Sequence, residues 1–265
     1  MTSDIMMYPS ETFRPWAQQA TDVYLKSLGL PPYTIDSLMS LARITSHQDG
    51  DVVSYGPEWI HIITRGIVKE TTSHGTVRLW RRGMILGDIG RVMLRKPKEA
   101  DSNLLGTGSH LTFLGNGATL SLTARTFAML IEREPVLALL LAQLTNERSQ
   151  IVEAVYATSK ASPIVRVARL LDYLVQRTRG SEVGDRMRWT RTGIHPVPEG
   201  ALTLTGPSQA EIAVALGLGR TTVEKAIAAL RADGILNALE PGTRSNRYYE
   251  IMDHSHLKSL ARSES

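Results

Sequence analysis

The chain has 265 residues, 42% of them hydrophobic, with 30 Lys+Arg against 26 Asp+Glu and no cysteine. That length suits one large or two ordinary domains with a real core, and the ordinary balance of apolar and charged residues argues against intrinsic disorder. The absence of cysteine removes disulfides, thiolate metal sites, cysteine-ligated iron–sulfur clusters and a cysteine nucleophile together, while a formal charge of +4 neither demands nor excludes a nucleic-acid partner.

From the start, Met1 to Pro15 lacks the basic segment and apolar run of a secretory signal. Residues 1–44 read as an N-terminal helical extension. Trp16 to Leu28 and Ile35 to Ile44 have helical periodicity, broken by Gly29-Leu30-Pro31-Pro32. Over residues 45–125 the texture changes to short β-rich runs: Val52 to Tyr55, Trp59 to Thr64, Ile67 to Lys69, Val77 to Trp80, Leu111 to Leu114 and Thr119 to Leu122. Glycines punctuate them, which predicts an antiparallel roll or barrel.

Residues 126–160 turn helical. Thr126 to Glu134 predicts a short helix stopping near Pro135, and a longer one runs from Pro135 to about Lys160. Along it Leu137, Leu141, Leu144, Arg148, Ile151, Val155 and Thr158 alternate at spacings of four and three. That stripe fits either the seam of a two-helix coiled coil or the inner face of a helix packed on its own domain. The longest largely apolar stretch, Val136 to Leu144, falls far short of the roughly 20 residues a spanning helix needs, so a soluble cytoplasmic protein without membrane contact is expected.

Residues 161–265 begin at a hinge, Ala161-Ser162-Pro163, which opens an amphipathic helix through Leu174. Arg177 to Gly200, polar and rich in Gly and Arg, reads as a loop or hairpin insertion. Then PSQAEIAVALGLGRTTVEKAIAALR, residues 207–231, reads as helix–turn–helix. Ser208 and Glu211 stand at capping-box spacing. Ala213 is small where a second helix must cross, Gly217 suits a turn with positive φ, and Val223 supplies the apolar contact. Ser208 and Gln209 lie at the start of the first helix, while Arg220, Thr221, Thr222 and Lys225 lie at or near the start of the second, the end a recognition helix offers to base edges. Arg can pair bidentately with guanine and Thr can donate, accept or touch a thymine methyl. Gly234-Ile235-Leu236 and Arg244 to Ile251 read as two strands of a wing, with Arg244 and Arg247 over the DNA backbone. The alternative is a solvated helix face, which fits Glu224, Arg231 and Asp233 better than Arg220 or Lys225.

This order of elements, α+β with an N-terminal antiparallel β-roll, a long helix and a C-terminal winged helix–turn–helix, resembles the Crp/Fnr family of regulators. Local matches include Gly50-Asp51-Val52, Ile60 to Val68, Gly83-x3-Gly87-Asp88, Arg166 to Leu171, Ser208 to Ala213 and Arg220 to Val223. The resemblance spans roughly residues 45–252. It implies a sequence-specific transcription regulator, double-stranded DNA and a second copy of the chain as partners, and RNA polymerase as a further one. It makes Leu137, Leu141, Leu144, Arg148, Ile151 and Val155 the dimer seam.

Departures from the family pattern bear on the effector. Gly87, Asp88, Ile89, Arg91, Ile151 and Val152 are the candidate pocket, by the resemblance to cyclic-nucleotide-binding members. The Arg-Ser or Arg-Thr pair that holds a cyclic phosphate in those members has no counterpart between Lys96 and Leu111, so the usual cyclic-AMP contacts are not expected. Haem is not expected either, since His47, His61, His74 and His110 fit structural or solvated roles, and iron–sulfur clusters fall with the missing cysteines. His254-x-His256 lacks a third ligand for a metal. Thr221 stands where the family usually has a cytosine-reading Glu, which implies a different half-site. No nucleophile–base pair, phosphate loop or carboxylate pair stands out, so no enzymatic activity is expected. The rival reading from another class is a small-molecule sensor whose winged helix contacts protein instead of DNA.

Overall fold

The computed structural model describes residues 15–54, 58–72, 74–87, 89, 110–157, 160–175, 187–190, 193–196, 201–237 and 247–263. Eight strands form two four-stranded antiparallel sheets. Strands β1 (Arg43–His47), β3 (Trp59–Arg65), β6 (Ile85–Gly87) and β8 (Gly117–Thr123) make one sheet in the order β1-β8-β3-β6. Strands β2 (Val52–Ser54), β4 (Val68–Thr71), β5 (Val77–Trp80) and β7 (His110–Phe113) make the other in the order β2-β7-β4-β5. Together they form the antiparallel roll. Strands β1 and β6 are not anticipated by the sequence reading, and Ile44, assigned there to a helix, lies in β1.

Strand β8 shows why the first sheet is buried on both sides. Leu120 and Leu122 face an outer core, while Thr119 and Ser121 point the other way and bond His47 and His61 at 3.0 and 2.8 Å. His47 also stacks on Phe113 of the second sheet, with ring centroids 4.0 Å apart. Burial pushes both imidazoles down to about 4. The outer core is closed by helices α1 (Pro15–Ser27), α2 (Pro32–Leu41), α3 (Ala124–Arg133) and the first half of α4 (Val136–Ile151). The N-terminal helices are thus part of the packed body. Thr21 of α1 meets Thr64 hydroxyl to hydroxyl at 2.9 Å, where a register shift interrupts β3.

Local signals set the helix ends. Thr123 caps α3 by accepting from the Thr126 amide, and Pro135 precedes α4. Helix α4 ends at Ile151, shorter than the sequence reading, and its last turn widens into a π-helix over Val152–Tyr156. There the Tyr156 hydroxyl accepts from the Leu79 amide at 2.8 Å and donates to the Leu79 carbonyl at 2.6 Å, which ties the helix end to β5.

The apolar stripe of α4 does not form a free seam. Leu137, Leu141, Leu144, Ile151 and Val155 are all within 9% of full burial against this chain's own core. Each buried leucine is worth about 1.5–3 kcal/mol where it stands, so these side chains are committed to the roll. Arg148, the one polar member, turns inward as well. It reaches Glu70 of β4 at 3.3 Å and stacks over Trp80, whose indole donates to Glu70 at 2.7 Å. Of the two readings of the stripe, the single chain supports the packed inner face.

Helix α5 (Pro163–Leu174) follows, and Arg81 joins it to the roll and α4. The guanidinium donates to the Tyr173 carbonyl at 3.1 Å and to Glu147 at 3.1 Å. A separate ribbon, β9 (Met187–Thr190) with β10 (Gly193–Pro196), occupies the segment read as an insertion. The last unit is β11 (Leu202–Thr205), α6 (Gln209–Leu216), α7 (Arg220–Ala232), β12 (Tyr248–Ile251) and α8 (His254–Arg262).

Candidate nucleic-acid interface

The sequence dictates α6 and its turn closely. Ser208 Oγ accepts from the Glu211 amide at 3.2 Å, and Glu211 returns by accepting from the Ser208 amide at 2.8 Å. Gly217 ends the helix in the left-handed region at φ +60, and the Leu218 amide bonds back to the Ala213 carbonyl at 2.9 Å. Those bonds satisfy carbonyls that would otherwise be orphaned at the helix end. Ile212, Ala213 and Leu216 of α6 pack with Val223, Ile227 and Leu230 of α7, all buried. The spacing of Ala213, Gly217 and Val223 therefore builds two crossed helices as expected.

Burying Val223, Ala226, Ile227 and Leu230 leaves the other side of α7 outward. Arg220, Thr221, Lys225 and Ala228 are exposed there, and Thr222 is half-buried with its amide donating to Gly219. The Arg220 Nε donates to Glu224 at 2.9 Å, so this acid one turn on restrains the arginine side chain. Glu224, expected on a solvated face, stands four residues from Arg220, and that spacing is the signal for the pair. Arg231, also assigned to that face, is half-buried beside Tyr249, and burial holds its guanidinium below the ordinary value.

The wing has the expected pairing of the segment after α7 with β12, and one strand more than the sequence reading. Strand β12 pairs with β11, upstream of the helix–turn–helix, in the register Leu202↔Ile251 to Thr205↔Tyr248. On the other side of β12, Leu236 bridges Ile251, the Asn237 amide donates to the Glu250 carbonyl at 2.8 Å and the Met252 amide to the Ile235 carbonyl at 2.9 Å. Arg244 lies outside the described residues. Arg247, just before β12, is exposed and faces Asp49 of the roll at 3.2 Å and Glu211 at 3.7 Å. Ser208 and Gln209 are half-buried, with both polar groups of Ser208 engaged by Glu211.

Among the described residues, the effector candidates divide between two cores. Gly87 closes β6 against Ile60, where a Cβ would lie 2.3 Å from the Trp59 carbonyl oxygen, so the glycine is required by strand packing. Ile89 packs against the outer core, to which Leu137 belongs, whereas Ile151 and Val152 belong with the other core, which holds Trp80. Asp88 and Arg91 lie outside the described residues. Between α4 and the second sheet stands the Trp80–Glu70–Arg148 group, which no sequence spacing announces. Among the described residues, no three His, Asp or Glu side chains cluster as a metal site would require, and no helix is long and apolar enough to cross a membrane.

No family model and no curated protein matches the sequence. The fold is nevertheless that of solved Crp/Fnr regulators and cyclic-nucleotide-binding proteins. A candidate cyclic-nucleotide-binding protein from Ruegeria pomeroyi superposes with a TM-score of 0.56 at 20% identity, covering 94% of this chain and 100% of its own. FixK2 from Bradyrhizobium japonicum gives 0.54 at 14% identity, covering 84% and 99%. A Crp/Fnr-family transcriptional regulator from Thermus thermophilus gives 0.53 at 21% identity, covering 84% and 100%.

Proposed function

We propose that this chain is a Crp/Fnr-type transcription regulator that binds a two-fold-symmetric DNA site as a homodimer. The observation that carries the reading is α7, whose apolar side is fully committed to the small core while Arg220, Thr221 and Lys225 stand exposed at its N-terminal end. In such modules that end enters the major groove, where Arg pairs with guanine. Thr222, Ser208, Gln209, Arg244 and Arg247 are assigned to the flanking backbone contacts. In this reading residues 45–125 serve as the effector domain, 126–160 as the coupling helices and 161–265 as the DNA-binding domain.

The partner copy is assigned to the outer face of α4. Leu139 is 73% exposed there. Ala142, Gln143, Asn146, Ser149 and Gln150 continue the exposed strip, with no charge among them. Leu139, Gln143, Asn146 and Gln150 follow the four-and-three spacing of a coiled-coil seam. A solvated helix face ordinarily carries charges, so a strip without them suits a helix–helix contact.

Anisotropy titrations with duplexes over a range of salt test the reading. Arg220→Ala should relax base preference, whereas Arg247→Ala should weaken all sequences alike and flatten the salt dependence. An Arg220→Ala protein with unchanged affinity and preference contradicts the assignment of α7.

A further inference from the structure

We propose that the roll latches the helix–turn–helix against itself, so that Asp49 holds Arg247 in the place of a DNA phosphate. The proposal rests on the DNA-binding reading above. The body of the contact is apolar: Leu114 of the roll and Leu204, Ile212 and Leu216 of the C-terminal unit belong to one continuous core. Approach is close enough that a Cβ on Gly206, just before α6, would lie 2.4 Å from the Leu114 carbonyl oxygen. At the edge of this contact runs a chain of four charges. Lys69 of β4 faces Glu211 of α6 at 3.7 Å, Glu211 faces Arg247 at 3.7 Å, and Arg247 Nη1 meets both oxygens of Asp49 at 3.2 and 3.4 Å.

Three of these observations point to competition with DNA. A carboxylate offering two oxygens to a guanidinium presents what a phosphate would present. The first turn of α6, which meets the sugar–phosphate backbone in helix–turn–helix complexes, is here bridged to the roll through Glu211. Finally, the Asp49 and Arg247 side chains are 61% and 45% exposed, so the pair is screened and exchangeable. A strongly held pair could not yield to a duplex; this one can.

The test uses the full chain with Asp49→Asn and Lys69→Gln together, which removes both roll-side charges and leaves the net charge unchanged. Because the chain has no cysteine, spin labels can be placed only at introduced sites, Val52→Cys on β2 and Val214→Cys on α6, both well exposed. The latched wild type should give one short interlabel distance. The double variant should add a longer component, and duplex DNA should produce the same component in the wild type. Loss of the exposed Asp49–Arg247 pair, worth up to about 1 kcal/mol, together with the half-buried Lys69–Glu211 contact predicts duplex binding tighter on the order of 5-fold. An unchanged distance distribution in the variant, or affinity equal to or weaker than wild type, overturns the latch. A longer distance in the variant with no duplex bound by either protein supports the latch and overturns the DNA-binding reading instead.

Discussion

Replacing Arg148 by alanine tests most sharply which way α4 faces. Glu70 is 2% exposed and would keep its bond from the Trp80 indole while losing the guanidinium at 3.3 Å. Breaking a buried ion pair from one side costs about 3–5 kcal/mol. Arg148 itself is 22% exposed, which places this pair near the lower end of that range. Lost stacking on Trp80, with the guanidinium carbon 5.3 Å from the ring centroid, adds about 0.5–1 kcal/mol. The expected total is about 3–4 kcal/mol. Glu70→Gln with Arg148→Met, which removes both charges and keeps the volume, should return to within about 1 kcal/mol of wild type. Urea unfolding followed by tryptophan fluorescence measures both, at several protein concentrations. If Arg148 faced a partner subunit, the decrement would shrink on dilution; the packing described here makes it constant. A loss under about 1 kcal/mol, or a double variant as unstable as the single one, would refute the reasoning.

Three further outcomes follow from the same structure. Gly217 lies at φ +60, and a Cβ on it would meet nothing within 4 Å, so Gly217→Ala should cost only the left-handed backbone, about 1–2 kcal/mol in a melt of the C-terminal unit; no loss there contradicts the turn. His47 and His61 are held at about 4, against 6.5 in the open chain. The unfolded state therefore binds more protons between pH 6.5 and 4, and stability, full above 6.5, should fall through that window and level off below about 4, by at most about 3 kcal/mol for each histidine. A urea midpoint flat from pH 7 to 4 would count against their burial. Gln143→Glu with Gln150→Glu, both exposed on α4, should dissociate a dimer in light scattering without changing the circular dichroism, whereas Leu144→Asp with Ile151→Asp should unfold the roll because those side chains are buried.

Much of the fold was legible because its signals are local. The box from Ser208 to Glu211, the glycine at 217 and the apolar period of α7 define the helix–turn–helix within 25 residues, 207–231. Pro135 marks the junction of α3 and α4, and Val77–Trp80 is a strand as anticipated. What failed was pairing at a distance. Nothing near Tyr248 announces that its strand pairs with β11 across the whole helix–turn–helix. The stripe of α4 has one period whether it faces a partner or its own roll, and only the position of the roll decides. Glu70, Trp80 and Arg148, like Asp49 and Arg247, meet only through tertiary structure.

Enrichment of random duplexes by the purified protein reads sequence-specific binding by α7 without any assumption about the site. The recovered fragments should share an inverted repeat, with half-site centres about 10 base pairs apart, one turn of the duplex. Arg220→Ala should flatten the preference at one guanine in each half-site while other positions keep theirs. Fragments with no common site, or an identical site recovered by Arg220→Ala, would contradict sequence-specific binding by α7.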